Sequence, residues 1–312
     1  MENFMIAVNA VVPFIIYIAF GYAVRSFKVV SEDFLRKLNQ MVFKCFFPIL
    51  MFNNFSQMDL GKTVSLHFLI FFLGAFFVVL TLSWVLVPRF VKENPRRGVI
   101  IQALFRSNAI LFALPLAESV AGQEGYMLAS LCVSFTVPLY NVFAVVILEY
   151  YSGKKPSPLE LLKKVVTNPL ILGALAGVVF LLLPFDLPAF VAKPVKAFAD
   201  LTTPLSLFIL GGLLHFSAFG KNMRTILITM GLKLVVVPLI LVLLSIPYGF
   251  TGIERFVMLI FFATPVAVSS YTMAANMGGD DELAGQFVAL STALSLFTIF
   301  TWIYVLKSLG LI

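Results

Sequence analysis

Long apolar stretches alternate with short polar ones along the chain, and most of the apolar stretches run about 17–25 residues, the length of a helix that crosses a bilayer. No period-two alternation of the kind that marks barrel strands interrupts them. The pattern predicts ten spans, near 5–24, 35–55, 66–88, 98–120, 125–151, 168–184, 195–217, 224–247, 254–277 and 284–307. The second span is irregular, because Lys44 and Pro48 fall within it, and the sixth is short. Basic residues then set the orientation. The loops after the odd-numbered spans, with the span ends that border them, carry fourteen Lys and Arg, whereas the termini and the other loops, counted the same way, carry five: Lys62, Lys193, Lys196, Arg255 and Lys307. Cytoplasmic loops are enriched in Lys and Arg, so both termini are expected outside, in a multi-pass protein of the cell (inner) membrane. The longest polar connection, 152–168, is then cytoplasmic and separates a first five-helix repeat, 1–151, from a second, 169–312.

The halves match at an offset of 156 residues. Val12-Pro13 and Asn168-Pro169 are expected to open similar spans, Pro48 corresponds to Pro204, and Gly122 to Gly278. Five spans per half is an odd number, so the second half is inverted relative to the first. Inverted repeats with interrupted helices characterise secondary transporters, whose sites lie at the midplane.

Composition agrees with the pattern. Of 312 residues, 61% are hydrophobic and 12% charged, with a mean hydropathy of +1.02; soluble domains are about 45–50% apolar and about 25% charged. The expected fold class is an all-α membrane protein. The opening Met-Glu-Asn-Phe has no basic stretch, so the first span reads as mature structure. Cys45 and Cys132 stand singly in apolar runs, which implies neither a disulfide framework nor a metal site. The net charge of +7 is explained by cytoplasmic loops and requires no nucleic-acid partner.

Two stretches do not suit helices that only pack. Arg106 to Pro115, read RSNAILFALP, places Arg106, Ser107, Asn108 and Pro115 inside the fourth span. Proline removes a backbone donor and disfavours helical geometry at Leu114 before it, and Asn or a guanidinium is costly in hydrocarbon unless it faces protein or a wet cavity. At the 156-residue offset lies 262–271, FATPVAVSSY, where Pro265 breaks the ninth span and Thr264, Ser269, Ser270 and Tyr271 supply polar groups. The plainer alternative is a proline kink with a snorkelling Arg, and Ser and Thr bonded back to their own helix. Two such stretches at matching places instead suggest antiparallel broken helices, whose half-helix N-termini present N–H groups and positive dipole ends to an anion. Lys44, Arg106 and Lys233 are the basic residues deep within spans, while Glu118, Glu149, Asp200 and Glu254 stay at span ends, a balance that suits an anionic substrate. Lys44 or Arg106 would offset its charge; Lys233 is open to snorkelling or pairing. Asn141, after Pro138, either lines the site or bonds a neighbouring helix. His67 and His215 read as structural, and Gly211-Gly212 permits close helix approach.

The runs SNAILFALPLAESVAG, VFAVVILEYY and ATPVAVSSYTMAANMGGDDELAGQFVALSTALSLF resemble the auxin efflux carrier family and its plant PIN members. The short connection between halves resembles the bacterial members described as malate or malonate permeases. The resemblance covers all ten spans. It implies a scaffold of spans 1, 2, 6 and 7, a mobile core of spans 3–5 and 8–10, and broken helices 4 and 9 crossing at the substrate site. It further implies a homodimer through the scaffold. Asn108 falls on the family's Asn beside the crossover and Pro265 on the crossover proline, whereas Ser107 stands where plant members have proline and Ala113 where they have glycine.

The expected function is therefore secondary transport of a small organic anion by an elevator-type alternating access, the anion being a carboxylate, a dicarboxylate such as malate or malonate, or an auxin-like acid. The alternative is a sodium-coupled organic-anion symporter of the bile-acid symporter type. No cofactor is expected; the partners are the anion, membrane lipid and a second copy of the chain. An enzyme is disfavoured because no His-Glu-x-x-His, paired-aspartate or Gly-x-Ser-x-Gly arrangement lies in or beside the spans. A receptor would want a sensory domain, and a channel a repeated filter loop.

Overall fold

The structure is a computed structural model, and it describes residues 2–57, 66–152, 158–183, 187–214 and 219–312. Lys62, Lys154, His215 and residues 153–157 of the connection between the halves lie outside the described residues. The first half contains α1 (Glu2–Ser26), α2 (Glu32–Met41), α3 (Phe47–Ser56), α4 (Leu66–Phe90), α5 (Asn94–Phe105) and α6 (Leu114–Tyr150). A short α7 (Pro158–Val166) leads into α8 (Pro169–Leu181), α9 (Ala189–Leu213), α10 (Phe219–Gly231), α11 (Val237–Ser245), α12 (Gly252–Ala263), α13 (Ser269–Asn276) and α14 (Asp281–Ser308). Among the described residues, four helical stretches are long and apolar enough to cross a membrane: Leu66–Phe90, Ala109–Tyr150, Gly220–Ser245 and Asp281–Ser308.

Short-range chemistry fixes the helix ends. Ser31 accepts from the Phe34 N–H at the start of α2, and Asp280 from the Leu283 N–H at the start of α14. Thr251 and Glu254 close a capping box on α12. Asn168 caps α8, with Pro169 behind it, where a missing N–H costs nothing. Pro13 does not open its helix as expected: α1 begins at Glu2 and carries Pro13 within it. Gly122 (φ 63°) turns the chain inside α6, and Gly278 (φ 76°) turns it after α13, both in the left-handed region that a Cβ disfavours. These glycines are 156 residues apart.

Three prolines each follow a widened, π-helical turn. Val42–Phe46 precedes Pro48, Ala109–Ala113 precedes Pro115, and Leu232–Val236 precedes Pro238. In each case the residue before proline donates its N–H five residues back, Phe47 to Val42, Leu114 to Ala109 and Val237 to Leu232. The proline ring would collide with the carbonyl four residues back, and the widened turn gives it room without breaking the rod. The expectation at Leu114 is corrected here: Leu114 is helical (φ −61°, ψ −55°), and Pro115 sits in the first turn of α6.

Glycines bring backbones into contact at two helix pairs. A Cβ on Gly21 would lie 1.9 Å from Phe208 O and one on Gly211 1.9 Å from Ile18 O, so α1 and α9 touch through bare backbone. A Cβ on Gly173 would lie 2.3 Å from Pro48 O, and one on Gly177 2.7 Å from Phe52 O, which makes α3 and α8 an equivalent pair. At one end of the molecule Arg36 meets Asp281 at 3.1 Å, Arg96 meets Asp280 at 3.8 Å and Lys164 meets Glu149 at 2.7 Å. At the other end Arg255 donates to Leu311 O at 2.6 Å and Phe250 O at 2.9 Å, and the His67 ring packs on Tyr248 and Phe250.

Candidate functional site

Two interruptions of helical geometry meet inside the protein. The first follows α5, where Arg106 is extended (φ −95°, ψ 116°) and helical geometry resumes at Ala109. The second follows α12, where Thr264 is extended (φ −73°, ψ 158°) and α13 begins at Ser269. The two strands of irregular backbone pair. Ser107 and Val266 form an antiparallel bridge, and the Asn108 N–H donates to Pro265 O at 2.9 Å. The Val266 N–H donates to Ser291 Oγ of α14 at 3.0 Å. Non-helical backbone inside a membrane protein persists only where protein buries it or where it lines a wet cavity, and here each break also supplies hydrogen-bond partners to the other.

Side chains gather at this junction. Arg106 is buried, with 3% of its surface exposed. Its Nη2 donates to Asn141 Oδ1 and to Ser269 Oγ, both at 2.7 Å, and its Nη1 contacts Met273 Sδ. Those contacts use three of the five guanidinium N–H groups and leave two. Asn141 Nδ2 in turn contacts Met51 Sδ, which ties α6 to α3. Lys233, fully buried in the turn between α10 and α11, donates to Ser107 Oγ. Among the described residues no carboxylate pairs with Arg106 or Lys233.

Beside the junction lies a cavity with an empty volume of ≈ 560 Å³, its open mouth included. Of the expected residues, Arg106, Ser107, Asn108, Asn141 and Ser269 line it. Thr264, Pro265, Ser270 and Tyr271 are not on its wall. Pro265 contributes through its carbonyl to the backbone pairing, the Thr264 and Ser270 hydroxyls are buried without a hydrogen-bond partner among the described residues, and the Tyr271 ring packs toward Gly285. Pro115 is one turn further on in α6, and Lys44 is exposed on the 42–46 turn, away from the cavity. Asn54, Tyr140 and Thr203 line the cavity and were not anticipated. The pair Asn53-Asn54 near the end of an apolar run is a polar signal in its own right, and Thr203 directly precedes Pro204; Tyr140 carries no comparable mark. Asn54 Nδ2 is buried without a partner, and the Asn108 amide has none among the described residues. Among the described residues, no Asp or Glu is present in the lining.

A strongly apolar chain, helical throughout its described residues, with paired helix breaks beside a cavity that one buried guanidinium lines, has the character of an integral membrane protein. Comparison with known sequences gives its family. The model of the membrane transport protein family matches twice, at residues 6–157 and 154–303, and the chain belongs to that family. It is similar to an uncharacterized transporter of Methanocaldococcus jannaschii, 24% identical over 97% of this chain and 99% of the relative. A second uncharacterized transporter, from Methanothermobacter thermautotrophicus, is 23% identical over 97% of this chain and 99% of the relative. A putative malonate transporter of Rhizobium meliloti is 22% identical over 96% of this chain and 95% of the relative. The family and these relatives are described as transporters, not as enzymes.

Proposed function

We propose that the protein is a secondary transporter of a small organic anion, a carboxylate or dicarboxylate of the malonate or malate kind or an auxin-like acid, working by elevator-type alternating access. One observation carries this reading: among the described residues, the cavity at the junction holds a buried Arg106 and two amides without protein partners, Asn54 and Asn108, with no acid in its wall. An uncompensated buried cation is costly, and a bound anion removes that cost. The turn at Ala109 and the start of α13 at Ser269 aim helix N-termini at the same region, where backbone N–H groups favour negative charge.

The architecture we infer is ten membrane helices in two inverted five-helix repeats. Five of the ten are interrupted or turned rods: α2–α3, α5 with the start of α6, the rest of α6 beyond Gly122, α10–α11 and α12–α13. The double family match supports two repeats, and so does the glycine packing. A two-fold operation that exchanges α1 with α8 and α2–α3 with α9 turns the α1/α9 contact into the α8/α3 contact. In this reading α1, α2–α3, α8 and α9 form the scaffold and a homodimer contact, and the other spans form the moving core. The basic residues Arg36, Arg96 and Lys164 share one end of the molecule, which we assign to the cytoplasm, with both termini outside.

A second reading, sodium coupling, is favoured by one feature. Thr264 Oγ1, Ser270 Oγ, Thr272 Oγ1 and Gln102 Oε1, on α5 and the second broken helix, are buried acceptor oxygens without partners among the described residues. Uptake of labelled malonate, malate and indole-acetate by proteoliposomes, with sodium or potassium outside, tests both. Saturable uptake of at least one acid supports the transporter reading, and sodium dependence selects the second. No uptake and no thermal stabilisation by any of the acids overturns the anion assignment.

A further inference from the structure

Lys233 is placed by a chain of local causes that end at the first helix break. Pro238 cannot donate to the carbonyl of Leu234, so the helix widens and the Val237 N–H bonds Leu232 O instead. The carbonyl left over, Leu234 O, is taken by the indole Nε1 of Trp302 on α14 at 2.9 Å. This fixes the widened turn, and π-helical insertions of this kind are frequent at functional sites. Leu232, Val235 and Val236 of the same turn are exposed at 39–44%, while Lys233 faces inward at 0%. Its ammonium donates to Ser107 Oγ, in the middle of the 106–108 break, and no carboxylate among the described residues neutralises it. For packing alone a methionine would fill the volume without the desolvation cost of a charge.

We propose that Lys233 is a positioning residue of the site. Through Ser107 it holds residues 106–108 in their non-helical path, so that the Asn108 N–H reaches Pro265 O and Arg106 and Asn108 face the cavity. Lys233 does not line the cavity itself and acts from behind the broken backbone. The clamp stands without a ligand; its consequence for anion affinity rests on the function proposed above.

The test is hydrogen exchange followed by mass spectrometry on the ligand-free protein in nanodiscs, comparing the parent with Lys233→Met and Ser107→Ala. Peptides covering 104–112 are expected to exchange at least tenfold faster in both variants, with melting temperature unchanged or raised in Lys233→Met. Ser107→Ala removes the acceptor and keeps the lysine, but it also removes a partner of the Tyr140 hydroxyl, so Tyr140→Phe is run beside it. If Lys233→Met does not fold, acceleration in Ser107→Ala that Tyr140→Phe does not reproduce supports the clamp, and equal acceleration in Tyr140→Phe overturns it. Unchanged exchange over 104–112, or acceleration spread evenly over the chain, overturns the clamp. Calorimetry with malonate is the second readout: at least tenfold weaker binding in both variants is expected. Parent-like affinity in a variant whose break exchanges faster overturns the link between clamp and site. A parent that binds none of the acids defeats the anion assignment, while the exchange result still decides the clamp.

Discussion

Removing the Asn108 side chain as Asn108→Ala separates a binding role from a packing role. The residue is 7% exposed, lines the cavity and makes no side-chain bond at the helix start that follows it. Its structural bond, N–H to Pro265 O at 2.9 Å, belongs to the backbone and survives the substitution. The cost to the folded protein is therefore small, on the order of 1 kcal/mol or less. A carboxylate in the cavity loses a hydrogen bond from a neutral donor to a charged acceptor, worth about 1.5–3 kcal/mol. Affinity then falls roughly ten- to a hundredfold, since about 1.4 kcal/mol is a factor of ten. The assay is calorimetry with malonate in detergent, run beside a melting curve of the same preparation. An unchanged dissociation constant in a variant whose melting temperature has dropped refutes the reasoning, because it reduces Asn108 to a packing residue.

Pro265→Ala restores an N–H at the second break and lets α12 extend toward α13, so uptake should slow several-fold while the affinity for malonate stays within about twofold; proteoliposome rates and calorimetry check this together. Gly211→Ala drives a Cβ to within 1.9 Å of Ile18 O, and overpacking of this kind costs about 1–3 kcal/mol; a melting temperature equal to the parent's would contradict the backbone contact between α1 and α9. A cysteine at Lys163, on the short α7, should react with impermeant maleimide only after the membrane is opened from the cytoplasmic side, whereas one at Lys307, in the last turn of α14, should react in intact cells; the reverse pattern would invert the topology.

Much of the candidate site was legible because its residues violate the hydropathy pattern around them. Arg106, Ser107 and Asn108 stand out in an apolar run, and Pro265 marks the second break where it occurs. Pro115 misled, because proline pattern alone does not say whether a helix breaks or widens. A π-helical turn absorbs Pro115, and the non-helical geometry lies upstream at Arg106–Asn108. Lys44 and Lys233 are indistinguishable by spacing, each a lone lysine in an apolar run followed by a proline. Only the three-dimensional packing separates them: one is exposed on the 42–46 turn, and the other is buried against Ser107. Asn54 was readable as a polar residue but not as a cavity residue, since its approach to the break depends on how α3 leans on α6, a long-range contact no local pattern encodes. Pro13 shows the limit of matching residues between halves, because the same residue type opens α8 and lies within α1.

The most direct test of the account is a structure of the protein with a bound carboxylate, malonate or whichever acid stabilises it most. The account predicts ligand density at the junction of the two breaks, with a carboxylate oxygen about 3 Å from the Asn108 amide or from an Arg106 N–H. A ligand bound elsewhere, with the wall of Arg106, Asn108 and Ser269 left bare, would contradict it.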